Sequence, residues 1–350
     1  MNILQYLRKF EKLVYFNRCW IHRNDEDFRR MVLEGYRNPD FLWMDTRGEE
    51  YEGKTIYHIK EQGNGMGFFA EVGVVLIKLY FAYERGLVPY VEWGERYLYY
   101  EEGGVDGEHN AFQYYFAPVS EIKGVGHALH VIEADSSHYC QVKDKFDAVS
   151  YDVSEEYINA MAAMMERYIR YNKKTALYLE RECDMLLGRK KTIGVHYRGT
   201  DFHKQYNNHP VAVQIEQEID EVRKLLEKDG YEQIFLATDE NLAICRFKEA
   251  FGERVKVYED TFREDGEESI AFSHSDRERH HYRLGLEVLR DEYTLIQCDG
   301  LVCGYSNVTF IARIMKRAWQ HAEYKDYILI NNGIHHNDNY FWKSRNAVSK

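Results

Sequence analysis

"KTIGVHYRGTD", Lys191 to Asp201, is the stretch whose reading decides the fold. Its first seven residues form a short apolar run containing the β-branched Thr192, Ile193 and Val195, the signature of a buried strand. Arg198, Gly199 and Asp201 then follow within four positions. A core strand that ends in charge is the pattern of a parallel sheet whose strand tips face a ligand crevice.

The same alternation continues downstream. "AVQIEQEIDEVRKLLEKDG" (212–230) carries apolar residues at helical spacing and stops at a glycine. "QIFLATD" (233–239) is a second strand and "ENLAICRFKEAFG" (240–252) a second helix. "RVKVYED" (254–260) is a third strand, and "RHHYRLGLEVLRDEYTLIQ" (279–297) a third helix. "CDGLVCGYS" (298–306) carries a fourth strand and "NVTFIARIMKRAWQHA" (307–322) a fourth helix. Upstream, "TIYHI" (55–59), "FFAEVGVVLIKLYFAYERG" (68–86) and "LVPYVEW" (87–93) make one similar strand–helix–strand unit. One long helical stretch from Ser154 to about Leu187, with Ser154 as its N-cap, joins the two halves. The expected fold class is therefore α/β, with two Rossmann-like domains in series and a ligand cleft between them. The boundary is expected near Gly188. This gives domains at 1–187 and 188–330 and a tail at 331–350.

Composition narrows the function classes. The chain has 350 residues, 45% hydrophobic and 30% charged, which is a folded chain long enough for two domains. A net charge of −12 without a basic block argues against nucleic acid as a partner. No run of 18 apolar residues is present, so no transmembrane segment is expected. The first 20 residues read as an amphipathic helix rather than a signal peptide, so the expected location is cytoplasmic, with peripheral membrane contact as the alternative. Six scattered cysteines without a CxxC read as reduced thiols. Cys298 and Cys303, an odd number of residues apart around one strand, are expected to face opposite sides.

Four places carry candidate chemistry. His196, Arg198, Asp201 and His203 sit at or after the first strand end of the second half, where a guanidinium suits a pair of phosphate oxygens. It equally suits a salt bridge to a neighbouring acid. "GNGMG", with Gly63, Gly65 and Gly67, lies between a strand and a helix and offers backbone N–H groups to an anion. Phe68 occupies the place of the third glycine of a dinucleotide fingerprint, while Glu92 ends the next strand where a ribose-binding acid belongs. Asp239 and Glu240 end the second strand and either bind ribose or substrate hydroxyls or cap the next helix. Gly304, Ser306 and Asn307 open the last helix, as caps or as pyrophosphate donors. "DED" at Asp25–Asp27 reads as a solvated helix face, and the His pairs at 280–281 and 335–336 lack zinc-type spacing.

Taken together these motifs resemble a known family. "HYRGTD" resembles the strand end of the α-1,6-fucosyltransferases, with "GNGMG", "ERY" (95–97), "FAPVSE" (116–121), "FLATDE" (235–240) and "DEYTLIQCDGLVCGYSNV" (291–308) following the family's order. The resemblance spans roughly Ile56 to Met315. It implies a GT-B architecture, with the acceptor side in the N-terminal domain and a GDP-sugar donor in the C-terminal one. It implies inverting transfer of L-fucose from GDP-fucose to an oligosaccharide or glycoconjugate acceptor, with neither cofactor nor metal. Arg198 would grip the β-phosphate. His196 and Asp291 would contact guanine and Tyr97 the ribose. Gly63, Gly65, Ser306 and Asn307 would line the pyrophosphate. The chain departs from the family at Gly199, where the family has a second Arg, and at Phe202, where it has a Lys. The acceptor base is therefore open among Asp201, His203, His209 and Glu71. Two other readings stand beside it: an NAD(P)-dependent oxidoreductase, and a non-catalytic GDP-sugar or glycan-binding protein.

Overall fold

Strand Thr192–Tyr197 is buried at all six positions, and so is Gln233–Thr238 beside it. Strands covered on both faces belong at the centre of a parallel sheet. The structure, a computed structural model, describes residues 42–63, 65–148, 153–199, 204–228, 230–263, 270–273 and 275–339. The expected N-terminal helix, Cys19 and the acids at 25–27 lie outside the described residues, as do Asp201, His203 and the tail from 340 on.

In chain order the elements are β1 (Ile56–Lys60), α1 (Phe68–Glu84), β2 (Val88–Glu92), β3 (Val131–Glu133), α2 (Ser136–Lys145), α3 (Glu155–Tyr168), α4 (Lys173–Leu187), β4 (Thr192–Tyr197), α5 (Ile215–Lys228), β5 (Gln233–Thr238), α6 (Asn241–Phe251), β6 (Val255–Lys256), α7 (His280–Gln297), β7 (Gly300–Gly304), α8 (Asn307–Gln320) and β8 (Asp326–Ile330). The larger sheet has the order β6-β5-β4-β7-β8, and every neighbouring pair in it is parallel. The smaller sheet has the order β2-β1-β3, with β1 and β3 parallel from Ile56↔Val131 to His58↔Glu133.

The larger sheet positions the site. From β4 the chain winds outward through β5 to β6, then returns to the other side of β4 for β7 and β8. Strand order therefore reverses between β4 and β7, and a crevice opens there at the carboxyl ends. Ile193, Val195, Ile234, Leu236 and Val302 form the core on one face with Ile219, Val222 and Phe247. Each fully buried aliphatic side chain contributes about 1.5–3 kcal/mol. Gly194 lets α7 approach, since a Cβ there would sit 3.1 Å from Leu295 and 3.2 Å from Cys298.

Several expectations are corrected. The stretch from Ser154 is two helices, because Ile169 turns extended and Asn172 starts α4. Asn172 caps Thr175 N at 2.9 Å and donates to the carbonyls of Gln113 and Tyr114 at 3.0 Å each. Ser154 caps α3 as expected, accepting from Tyr157 N at 3.2 Å. The third strand of the second half shrinks to Val255–Lys256 at the sheet edge. Cys298 and Cys303 lie in the same apolar cluster with Cys183 rather than on opposite sides. Cys298 is the C-cap of α7, so strand alternation does not reach it. Five cysteines among the described residues are free thiols.

The chain divides into two compact units, Met1–His58 with Gly124–Glu133, and Ile59–Lys123 with Ala134–Lys350. In the first, Arg47 pairs with Glu133 at 2.6 Å and His58 Nδ1 lies 3.0 Å from the same carboxylate. The second holds the larger sheet and the C-cap of α4 at Gly188, where the sequence marks a boundary. No helix among the described residues is long and apolar enough to cross a membrane.

Candidate functional site

β4 delivers its last residues to the switch point. Strand alternation and the flanking strands bury His196, whose Nδ1 lies 3.4 Å from Ser306 Oγ across the crevice. Burial, and then the nearby Arg198 charge, push the His196 pKa down to about 4, so the ring is neutral at physiological pH. Arg198 stands at the lip, its side chain 29% exposed. Its Nη1 lies 3.0 Å from Asp239 Oδ2 at the tip of the neighbouring β5. The other Asp239 oxygen accepts from Gly199 N at 3.0 Å. One carboxylate therefore fixes both the guanidinium and the backbone that carries it. Asp239 does not cap α6. Glu240 holds the N-cap position and makes no side-chain cap bond.

β7 supplies the facing wall. Ser306 is the N-cap of α8, accepting from Thr309 N at 3.1 Å. Asn307 opens the helix and is exposed. Gly304 permits close approach, because a Cβ there would meet Val213 at 2.7 Å. Between the walls His196, Arg198, Ser306 and Glu218 line a narrow cavity of about 10 Å³, close to the minimum for one water. A cation at the lip, a neutral imidazole and a hydroxyl beside a helix start form a donor-rich setting for an anion.

Solved structures similar to this chain include fucosyltransferases. NodZ α-1,6-fucosyltransferase soaked with GDP-fucose shares 16% identity over 75% of this chain and 92% of its own, with a TM-score of 0.46. Fucosyltransferase NodZ from Bradyrhizobium shares 15% over 74% and 92%, with a TM-score of 0.42. POFUT1 in complex with GDP-fucose shares 10% over 81% and 99%, with a TM-score of 0.47. No family model and no curated protein sequence matches.

The other expected residues fall in different places. Gly63 and Gly65 take positive φ, +66° and +71°, and Gly63 packs against Arg96. Their loop wraps the buried Glu71 carboxyl, which accepts from Gln62 N at 3.0 and 3.1 Å. An acid in the first turn of α1 thus already occupies this amide, and burial pushes its pKa up. Tyr97 is buried in an aromatic cluster, 4.4 Å from Trp93 and 5.3 Å from Tyr99 between ring centres, and its hydroxyl has no hydrogen-bond partner. Asp291 lies on α7 beside Arg290, and burial raises its pKa to about 7 against the pull of that guanidinium. Arg290 itself is buried, with both terminal nitrogens on Asp260 at 2.8 and 3.2 Å.

Sequence reasoning missed three features. Glu218 is a buried acid at the cavity, hidden among the charges of an acidic helix. Arg263 donates to the carbonyls of Thr238 and Tyr258, at 3.2 and 3.0 Å, bracing the tip of β5. The segment after β8 pairs with the loop after Arg198: Asn207 N donates to Asn339 O at 2.7 Å, and Asn208 N to His335 O at 2.9 Å. His335 N and Val211 N complete the ladder with His209 O and Gly333 O, both at 2.9 Å. A larger open depression of about 420 Å³ lies at Glu101 and Arg277–His281. Its arginines are ion-paired, Arg277 to Glu287 at 2.5 Å and Arg279 to Asp106 at 2.7 Å.

Proposed function

We propose that this chain is a glycosyltransferase that moves L-fucose from GDP-fucose to a saccharide acceptor, with inversion and without a metal. The observation that carries the reading is Arg198, oriented by Asp239 at the switch point of a parallel sheet and embedded in a stretch resembling the α-1,6-fucosyltransferases. Breaking the bond from fucosyl C1 to the β-phosphate oxygen leaves its electron pair on that oxygen. Arg198 meets the growing charge with fixed N–H donors, and the Ser306–Asn307 helix start adds its dipole. The acceptor hydroxyl attacks the opposite face of C1 and gives its proton to Asp201 or His203. Asp291 faces the guanine. The two-domain GT-B arrangement, divided near Gly188, belongs to the same proposal.

GDP release from GDP-fucose, with and without EDTA, tests the reading. Arg198→Ala is expected to lower turnover about 10²–10³-fold, the loss seen when one preorganised charge-stabilising donor is removed. EDTA is expected to leave wild-type turnover unchanged. Wild-type protein that neither binds nor turns over a GDP-sugar refutes the reading. Binding without transfer to any acceptor leaves a GDP-sugar-binding protein, and a response to NAD alone an oxidoreductase.

A further inference from the structure

Glu218 is out of place on its helix. In α5 the buried face is made by Ile215, Ile219, Val222 and Leu225, and Glu216 and Glu221 lie outside that face. Glu218 shares the buried face, 1% exposed, and neither carboxyl oxygen has a hydrogen-bond partner. Burying a carboxyl without a partner costs stability, and any aliphatic residue would fill this position at less cost. The residue also lines the strand-end cavity with His196, Arg198 and Ser306. Topology explains this, since the first turn of α5 starts above the carboxyl ends of β4 and β7.

We propose that Glu218 is a phosphate-binding residue of this crevice, its carboxylic acid donating a hydrogen bond to a phosphate oxygen of the ligand held by Arg198. The inference rests on reading the crevice as a phosphate site, and it adds a donor that the motifs do not contain. A carboxylate would repel a phosphate, whereas a protonated acid is a donor. Burial pushes the Glu218 pKa well up and so keeps that proton in place. The charged and titratable groups around it are Tyr197 on β4, Cys303 on β7, His196, Arg198 and Tyr305 at the cavity, and Asp239, which is ion-paired to Arg198. The first two are pushed up, by burial first and then by neighbouring acids (Glu240, Glu218 and Asp239 at Tyr197, Glu218 at Cys303), so both stay neutral. His196 is neutral as well, which leaves Arg198, paired with Asp239, as the cation among these groups. An unused neutral acid beside one guanidinium thus fits an anion that accepts only. A buried acid that stabilises an oxyanion while protonated is an established catalytic device.

Calorimetry with inorganic pyrophosphate and with GDP tests this on wild type, Glu218→Gln and Glu218→Leu, with a thermal melt of each. Glu218→Leu is expected to bind both ligands at least roughly tenfold more weakly, the loss of one hydrogen bond to a charged group. It is expected to melt no lower than wild type, since the orphaned carboxyl is gone. Glu218→Gln keeps an N–H donor and is expected to bind within about threefold of wild type. Wild-type affinity is expected to fall relative to that of Glu218→Gln as pH rises and the acid ionises. A well-folded Glu218→Leu protein with wild-type affinity overturns the assignment. If that variant does not fold, identical pH profiles for wild type and Glu218→Gln overturn it. Wild type that binds pyrophosphate with this dependence but not GDP sinks the GDP-fucose reading and leaves Glu218 assigned. Wild type that binds neither ligand overturns both.

Discussion

Gly199 and Glu240 are one structural unit, and a double-mutant cycle measures it. A Cβ on Gly199 would stand 2.9 Å from both the Cβ and Cδ of Glu240 and closer still to Oε2. The Oε2 end could swing aside, but the Glu240 Cβ is fixed to the backbone at the start of α6. Gly199→Ala therefore forces β4's tip or α6 to move, at the usual 1–3 kcal/mol (about) for overpacking a tight site. Gly199 N also donates to Asp239, so the shift loosens the residue that orients Arg198. Glu240→Gly removes the obstacle, and glycine is tolerated at an N-cap whose side chain makes no cap hydrogen bond. The double variant is then expected to recover most of the loss, a coupling of about 0.5–3 kcal/mol. Urea unfolding of the four proteins, read by circular dichroism, gives that coupling directly. GDP binding should follow the same pattern. Additive effects, with Gly199→Ala equally harmful in the Glu240→Gly background, would falsify the steric account.

Two further outcomes follow from other parts of the molecule. Asp291 has its pKa raised to about 7 in the folded state, so the folded protein holds a proton that the unfolded chain has released. Its contribution is fully present below about pH 4 and declines between about pH 4 and 7, by about 1.4 kcal/mol per pH unit at most. The difference in unfolding free energy between wild type and Asp291→Asn, measured across that range, should carry this slope, and a flat difference refutes it. Removing residues 331–350 strips the partners from Asn207 N, Asn208 N and Val211 N. Hydrogen exchange at those three amides should rise; unchanged protection refutes the pairing of this segment with the loop after Arg198.

The larger sheet was legible because its central strands are apolar throughout and its helices are amphipathic. β4, α5, β5, α6, α7, β7 and α8 all lie where their periodicity put them. What failed did so for stated reasons. β3 has three residues and pairs with β1 from far along the chain, so no local pattern marks it. β8 is half-buried along its length; its "DYILI" run is rich in strand formers but shows no apolar–polar alternation, and it follows the last helix closely. The break at Ile169–Asn172 is made by tertiary contacts, the Asn172 amide reaching back to Gln113 and Tyr114. Cys298 broke the alternation rule because it belongs to a helix end.

At the site, residue type was legible and partnership was not. The spacing of "HYRGTD" raised two uses for Arg198, a phosphate ligand or a salt bridge to a neighbouring acid. The structure supplies the second: Asp239, itself 11% exposed, holds Nη1 and the Gly199 amide together. These uses are compatible on physical grounds. A guanidinium is a planar fork of five N–H donors, so the pair with Asp239 sets the plane of a group built to hold more than one acceptor. A side chain 29% exposed and tethered in this way has less rotamer entropy to lose when an anion arrives than a loose arginine has. Lysine at 198 carries its three N–H donors on one nitrogen, so it can share them between Asp239 and an anion but cannot present a planar fork to a pair of phosphate oxygens. Arg198→Lys should therefore preserve net charge, keep the Asp239 pair, and still bind GDP more weakly than wild type. Undiminished GDP affinity in that variant would mean that position 198 supplies charge alone, and the geometric argument would fall.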